Sequence, residues 1–442
     1  MGAMITKYII APWDAEVYVE NLQTSKLEDI GTKGWLEFHK KLILLNLQSV
    51  HEISALQEES IKEWFVSLKK IPILIYEAVQ IDIWKHKVFP YLIEINGEPE
   101  NTFMLFSIFY HEDIAVSLLE NVLFHCESAE TMDDSVHDLI DYAVNYVRAL
   151  LDLQGHEIYE STPNPNSCLE EILTKKKELE FDISIRCISI IRYLAEFLDN
   201  LPLSVLNRML ITHDVPCLLV QLIENRPWKK EDSDGITMIY NGAWKKVKES
   251  EMGKICKAEA QVWFGLRQLL LNPKCAPYYE ISEHRISQLV KLQKHLHEEV
   301  LDQISPLVEL KVWLSYLDIS SHTGASRSRI VNVEIMPPIK ISILEKHHNK
   351  WKKLAKQHAK LIFTKDKDYI KHSAQILSEA YDLDKLDFIN IKDCCLCKET
   401  AKNRCSRCKE AWYCGRECQV KDWERHKIIC DKIVDAIKNE ST

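Results

Sequence analysis

The sequence predicts a mostly α-helical protein: a long array of helices, one inserted β-hairpin, and a small cysteine-rich finger folded around metal at the C-terminal end. Three observations carry this. Glycine (11) and proline (14) are scarce among 442 residues while Leu, Ile, Lys and Glu abound, which disfavours turn-rich β-sandwiches and α/β enzymes. Apolar residues recur at helical spacing along most of the chain. Eight of the fourteen cysteines fall between Cys394 and Cys430. The length leaves room for two or three domains.

The helices can be placed in order. "GWLEFHKKLILLNLQSVHEISALQ" carries Leu36, Leu42, Leu45, Val50 and Ile53 between polar residues. "SVHDLIDYAVNYVRALLDL" sets Val136, Leu139, Ile140, Ala143, Val147 and Leu150 on one stripe at i, i+3, i+4, i+7 spacing. "ELEFDISIRCISIIRYLAEFLDNL" is apolar around most of its circumference and reads as a buried central helix. "KKIPILIYEAV" (69–79) resembles "THDVPCLLVQLI" (212–223), each a polar turn, a β-branched residue, a Pro and an apolar pair. "HEDIAVSLLENVL" (111–123) is a looser third copy without the Pro. Pro suits the first helical turn, where its missing N–H has no partner to lose. This turn resembles the start of the last helix in armadillo repeats, which implies an armadillo/HEAT-like array with a concave binding face.

Other segments break the pattern. "STPNPNS" (161–167) is a polar loop. Asn241-Gly242, flanked by Ile236–Tyr240 and Trp244–Val247, signals a two-residue hairpin inserted at about 227–248, with Trp244 covering its apolar face. The polar stretch 318–329 and Pro337-Pro338 mark a boundary, which gives an armadillo-like domain over 1–335. A basic amphipathic helical linker follows over 336–390. Within it Ile341, Leu344, His348, Trp351, Ala355, His358 and Ile362 share one face, and lysines fill the other. That lysine face reads as solvated surface rather than a nucleic-acid contact, because the chain as a whole carries a net charge of −10.

No catalytic motif is found: no P-loop, G-x-G-x-x-G, G-x-S-x-G or H-E-x-x-H. His295 and His297 lie i, i+2 apart and point away from each other on a helix, and the His347-His348 pair reads as helix surface. Cys126, Cys168, Cys187, Cys217, Cys256 and Cys275 follow no ligand spacing and read as small buried hydrophobes. No run of eighteen apolar residues occurs, since Glu77, Asp82, Lys85 and Lys87 interrupt the most apolar stretch. Neither a membrane span nor a secretory leader is therefore expected, and clustered thiols in a reducing environment read as metal ligands. Gly2 and Thr6 fit a loose acylation pattern, but no polybasic second signal follows, so an ordinary start is expected.

In the cysteine-rich segment the spacing is informative. Cys394-x2-Cys397 and Cys405-x2-Cys408 are two hooks that bring thiolates within reach of one ion. Cys414-x3-Cys418 and His426-x3-Cys430 are i, i+4 pairs on one face of a helical turn. Together they give eight ligands, seven Cys and one His, enough for two closed tetrahedral sites holding two structural Zn2+. Cys395 is left over as a spare thiol. Spacing alone does not say which pairs share an ion.

The whole pattern, with "WYCGRECQVKDWERHK" at its centre, resembles the MYND zinc finger. The resemblance implies interleaved pairing: Cys394, Cys397, Cys414 and Cys418 on one ion, Cys405, Cys408, His426 and Cys430 on the other. It implies a finger over 391–432, a C-terminal tail over 433–442, and a protein-interaction role. A groove lined by Ser406, Gln419 and Trp423 would take short proline-rich peptides; the competing reading has Trp423 packing the finger's core.

The combination of a helical array with a finger after it decides between MYND families. The SET-domain methyltransferases carry an "NHS"-type motif absent here, and their finger is not C-terminal. "KHKVFP", "NTF", "THDVPCLLVQLIENRPW", "QVWFGLRQLLL" and "NRCSRC" resemble instead a family of armadillo-like proteins with a C-terminal MYND finger. The likeness is looser before Trp84, carried there by Gly34-Trp35. That resemblance implies a non-enzymatic cytoplasmic adaptor and co-chaperone for preassembly of inner and outer axonemal dynein arms, needed for motility of the cilium. Its partners would be a dynein-arm assembly factor on the finger, heat-shock chaperones, and axonemal dynein chains as clients. It would sit in the cytoplasm, at centriolar satellites or dynein-assembly foci. No nucleic acid is expected. The alternative is a nuclear corepressor adaptor whose finger captures proline-rich motifs.

Overall fold

The computed structural model describes residues 8–100, 102–152, 167–231, 235–248, 251, 253–320, 337–380, 394–397, 401, 403–408 and 411–440. It divides into two units, 1–380 and 381–442. The first begins with α1 (Pro12–Glu20), α2 (Lys33–Ser54), α3 (Ser60–Ser67), α4 (Ile71–Lys87), α5 (Phe89–Asn96) and α6 (Phe103–Val122). After α7 (Cys126–Ala129) come α8 (Val136–Asp152), α9 (Cys168–Glu196), α10 (Leu203–Asn207) and α11 (Val215–Asn225). Three strands precede α12 (Lys257–Leu271), α13 (Glu283–Leu289), α14 (Glu298–Gln303) and α15 (Leu307–Ser320). The unit ends with α16 (Pro338–Lys346), α17 (Trp351–Ile362) and α18 (Lys367–Ala380).

Periodicity explains the core. All six residues of the α8 stripe, from Val136 to Leu150, are buried. They pack on α9, which also packs on α6 and α12 and so occupies the centre of the unit. Helices α2, α4 and α6 continue the stack on one side, and α11 on the other. On α2 the expected stripe is buried at Leu36, Leu42 and Leu45, but Ile53 near its end is exposed. Among the described residues, no single helix is long and apolar enough to cross a membrane.

The two Pro-bearing repeats do start helices, α4 and α11. Each is preceded by a residue with positive φ, Lys69 at 52° and Asp214 at 47°. This left-handed kink turns the chain before Pro sets the first helical φ. The third copy is corrected: 111–122 lies inside α6, which starts at Phe103, and Leu123 caps its end, so the copy opens no helix. The polar loop 161–167, apart from Ser167, and the stretch 321–329 lie outside the described residues, as does Gly2.

The insertion is a three-stranded antiparallel sheet of β1 (Lys229–Glu231), β2 (Thr237–Tyr240) and β3 (Trp244–Lys246). Tyr240 pairs with Trp244, leaving a three-residue loop rather than two, with Gly242 at φ 73° supplying the left-handed position. The sheet is moored to α9 through aromatics. Phe181 meets Tyr240 edge-on at 4.9 Å and Trp244 at 5.7 Å, while the Tyr240 hydroxyl donates to Asp182. Of the single cysteines, Cys187, Cys217 and Cys275 are buried as expected. Cys256 is half-buried, and its sulfur accepts from the Glu259 N–H at 3.5 Å, capping α12. Cys126 and Cys168 are also only half-buried.

The expected basic linker is not one helix: its described part, 337–380, holds three helices that belong to the first unit, and 381–390 lies outside the described residues. It breaks at 347–350, where Asn349 has φ 60°, and its three helices fold back onto the first unit. Helix α16 packs on α4 and α8, α17 on α5, and α18 on α2. The break rotates the register, so His347 is buried and His348 exposed, the reverse of the single-helix expectation. Past the break Leu354, Ala355, His358 and Ile362 form the buried face. The lysines meet carboxylates of the array, Lys352 with Glu94 at 3.5 Å and Lys365 with Glu100 at 2.7 Å. Asp138 on α8 accepts from the N–H groups of Ile339 and Lys340 at 3.0 and 2.9 Å, capping α16 from another helix.

One contact makes this docking sensitive to pH. The Trp84 indole N–H donates to His358 Nδ1 at 2.9 Å. An indole can only donate, so Nδ1 must stay unprotonated. Burial holds His358 down to about 4. The folded chain thus refuses a proton that the unfolded chain takes up between pH 6.5 and 4, and stability falls as pH drops through that window. By pH 5 the loss reaches about 2 kcal/mol. Urea unfolding at pH 7 and pH 5 should show it, and His358→Gln, which still accepts from Trp84 but does not titrate, should reduce the pH-dependent loss by about that amount.

Candidate metal centre

The second unit is built on two short strands and one long helix. Strand β4 (Asn403–Arg404) pairs antiparallel with β5 (Trp412–Tyr413), and α19 (Arg416–Glu440) follows. The helix runs on through 433–440, within the segment expected as a C-terminal tail. A segment this small has little apolar core. Its buried cluster consists of Ala411, Tyr413 and four cysteines, Cys394, Cys405, Cys408 and Cys430.

The eight predicted ligands come together in two sets of four. The donor atoms of Cys394, Cys397, Cys414 and Cys418 lie within 4.8 Å of one another, as do those of Cys405, Cys408, His426 and Cys430. Cys394–Cys397 and Cys405–Cys408 sit in turns, while Cys418, His426 and Cys430 project from α19. Within the first set Sγ of Cys414 lies 3.5 Å from that of Cys397 and 3.4 Å from that of Cys418. Within the second, Cys408 Sγ lies 3.5 Å from His426 Nε2. A tetrahedron with 2.3 Å zinc–sulfur bonds has edges of about 3.8 Å, so both sets are close to the size zinc requires. The two sets fit two structural zinc ions, and the pairing is the interleaved one.

The ligand thiols divide: Cys414, Cys418 and Cys430 are pushed up, Cys414 by hydrogen bonds from its sulfur neighbours and Cys430 by burial, while Cys405 and Cys394 are held low. Burial acts to raise the Cys405 thiol, but the backbone groups of Cys408 and Arg407 and the His426 ring outweigh it and hold it at about 6. Cys394 is held at about 6 in the same way, by the backbone groups of Cys397, Cys414 and Leu396. Knuckle N–H groups aimed at sulfur favour the charged form that binds metal. The two sites differ in exposure. All four residues of the second set are buried, whereas Cys397 is exposed and Cys414 and Cys418 are half-buried.

Cys395 belongs to neither set. Its backbone does the work: its N–H donates to Trp412 O at 2.8 Å, and its carbonyl accepts from Arg425 at 3.3 Å. The residue that sequence reasoning missed is Tyr413. It is fully buried, and its hydroxyl donates to Asp422 Oδ2 at 2.9 Å, while Arg425 donates to Oδ1 of the same carboxylate at 2.9 Å. Burial and that carboxylate push the Tyr413 hydroxyl well above its ordinary value. Tyr413, rather than Trp423, is thus the aromatic of the finger's core. The only signal for it in the sequence is an aromatic directly before a ligand cysteine.

Trp423 remains 37% exposed and Val420, three residues earlier, 64%. Gln419 and Trp423 are one turn apart on α19, so they share a face. Ser406 is exposed in the turn between Cys405 and Cys408. Trp423 lies 6.0 Å, ring to ring, from His426. Both Ser406 and Trp423 therefore adjoin the second metal set. His295 and His297 do not form a site: His295 accepts or donates within an Arg226–Glu224 cluster, and His297 is exposed at the start of α14.

A family model of the MYND finger matches residues 394–430. The chain is 34% identical over 450 residues to the zinc finger MYND domain-containing protein 10 homolog of Drosophila melanogaster, covering 96% of this chain and 99% of that one. Shorter matches join it to N-lysine methyltransferase SMYD2, 43% over 42 residues in Rattus norvegicus and 42% over 40 residues in Homo sapiens. These cover 10% and 9% of this chain, and the same shares of those enzymes. No solved structure matches.

Proposed function

The chain belongs to the family of zinc finger MYND domain-containing protein 10, and from that premise we propose that it is a non-enzymatic cytoplasmic adaptor and co-chaperone for preassembly of axonemal dynein arms. The MYND finger makes it an adaptor of protein–protein interactions. Two sets of four protein ligands support a structural role for the metal, since a closed site keeps no position for water or substrate. The observation that carries the reading is the likeness along nearly the whole chain, helical unit included. Ser406, Gln419 and Trp423 form the partner-binding face, which takes an extended segment of another assembly factor. An aromatic wall and a side-chain amide suit such a segment. Heat-shock chaperones and axonemal dynein chains are the other partners, met in the cytoplasm at dynein-assembly foci or centriolar satellites.

Affinity purification from multiciliated cells tests this. Dynein subunits and assembly factors should co-purify, and Trp423→Ala should lose the assembly factor while keeping its zinc. Recovery of transcriptional corepressors without any dynein component would replace the proposal with the nuclear reading. Lysines of the 340–371 stretch engaged with Glu94 and Glu100 offer little support for a nuclear-localisation role.

A further inference from the structure

Away from the finger, a cleft of about 690 Å³ crosses the helical unit between α4, α8, α9 and α16. That volume lies in the range of ligand-binding pockets. We infer that this cleft is a docking site for an acidic peptide segment of a partner protein, one that presents an apolar side chain flanked by carboxylates.

The floor and the rim select those two properties. Ile83, Ala149 and Leu344 give the cleft an apolar surface. Four lysines, Lys87, Lys176, Lys177 and Lys340, line it against three carboxylates, Asp82, Asp152 and Glu180. Two of those carboxylates are already engaged. Asp82 lies 3.2 Å from His86, and Glu180 lies 2.7 Å from Lys176 and 3.2 Å from the buried Lys85. Lys87 and Lys177 are exposed, and neither makes an ion pair with a described residue. With the Lys176–Glu180 and His86–Asp82 pairs set aside, Lys87, Lys177 and Lys340 face Asp152, a local surplus of cationic groups beside apolar surface on a chain of net charge −10. It attracts an acidic segment that the rest of the molecule repels.

The walls are fixed before anything binds. Lys85, behind Tyr146 and Glu180, ties α4 to α8 and α9. The Asp138 cap pins α16, which contributes Lys340 and Leu344. A preformed cleft loses little entropy on binding. Asn145 and Ala149 are exposed along α8, so the cleft is open to solvent over that length. An open cleft suits a peptide rather than an enclosed lipid tail. The Asn145 amide, among the lining groups, can pair with peptide backbone. A polyphosphate would leave the apolar floor uncovered.

This surface is independent of the finger's partner, and the test keeps the two apart. A random dodecapeptide phage library is panned on the full-length, zinc-loaded chain, with an Ala149→Trp variant that fills the cleft as counter-selection. Enriched peptides should combine Leu, Ile or Phe with Asp or Glu. Labelled synthetic copies should bind by fluorescence anisotropy, lose about tenfold in affinity to a Lys87→Glu/Lys177→Glu variant, and weaken with added salt. Those two lysines are exposed, so that variant tests the cleft even if Ala149→Trp fails to fold. Chelating the zinc should leave the titration unchanged; loss of binding on chelation would move the site to the finger and overturn the proposal. Enrichment of basic or uncharged peptides, no peptide enriched over the counter-selection, or binding indifferent to the lysine reversals would overturn it as well.

Discussion

Replacing His426 or Cys408 by alanine should unfold the finger and leave the helical unit folded. Four of the six residues in the finger's buried cluster are ligands, and the other two are Ala411 and Tyr413. Remove the metal and what remains is one aromatic ring and a methyl group. A structural zinc site contributes on the order of 10–16 kcal/mol to the fold of a small finger. No redistribution of so little apolar surface can replace it. His426 also touches both Tyr413 and Trp423, at 6.0 Å ring to ring in each case, so its loss disturbs the core and the proposed partner face together. The measurement is zinc content with circular dichroism. Zinc should fall below two ions per chain, while the main thermal transition of the helices stays in place. Collapse of both transitions would show that the two units do not fold separately. The differing exposure of the two sets adds an order: a chelator should strip the set containing exposed Cys397 before the buried one.

The second large effect lies in the core of the helical unit. The Lys85 side chain is 2% exposed and its ammonium lies 2.7 Å from Glu112 Oε2, 3.2 Å from Glu180 and 2.5 Å from the Tyr146 hydroxyl. Tyr142 and Tyr146 both donate to Glu112 Oε1, at 2.7 and 2.6 Å. Burial alone would pull Lys85 down, but Glu112, Glu180 and Asp82 more than offset it and keep the lysine charged. Lys85→Ala leaves Glu112, itself 1% exposed, as a buried carboxylate without a counter-charge. The expected loss is roughly 3–5 kcal/mol, read from the urea midpoint. Lys85→Met/Glu112→Leu removes both charges and should recover most of it, because the cost lies in the stranded charge rather than in the pair. A single-variant loss under about 1 kcal/mol would mean that water or another cation reaches Glu112.

These residues mark where sequence reading stops. Glu77, Asp82, Lys85 and Lys87 look like interruptions that keep an apolar stretch out of a membrane. Of the four, Glu77 is 0% and Lys85 3% exposed, each satisfied by groups distant along the chain. Periodicity says which face of a helix is apolar, as it does for α8, but is silent on which charges will be buried in pairs. The metal ligands were legible because hook spacing is a local constraint. The break at Asn349 was not, since the lysine-rich run on both sides favours helix and only one of the four residues between α16 and α17 is left-handed. Tyr413 escaped notice for a related reason: its partner Asp422 is on another element, and a single aromatic has no period.

The fold-back of α16–α18 has a consequence for the order in which the chain is made. Trp84 waits for His358, 274 positions later; the Tyr369 hydroxyl returns to Gly31, and Glu379 returns to Lys40. A growing chain therefore presents the bare flanks of α2, α4 and α5 throughout translation of more than two hundred further codons, and closes them only when residues 338–380 leave the ribosome. Long-range closure of this kind is slow and leaves apolar surface open to aggregation. A protein proposed to help others assemble is itself a demanding client during its own synthesis.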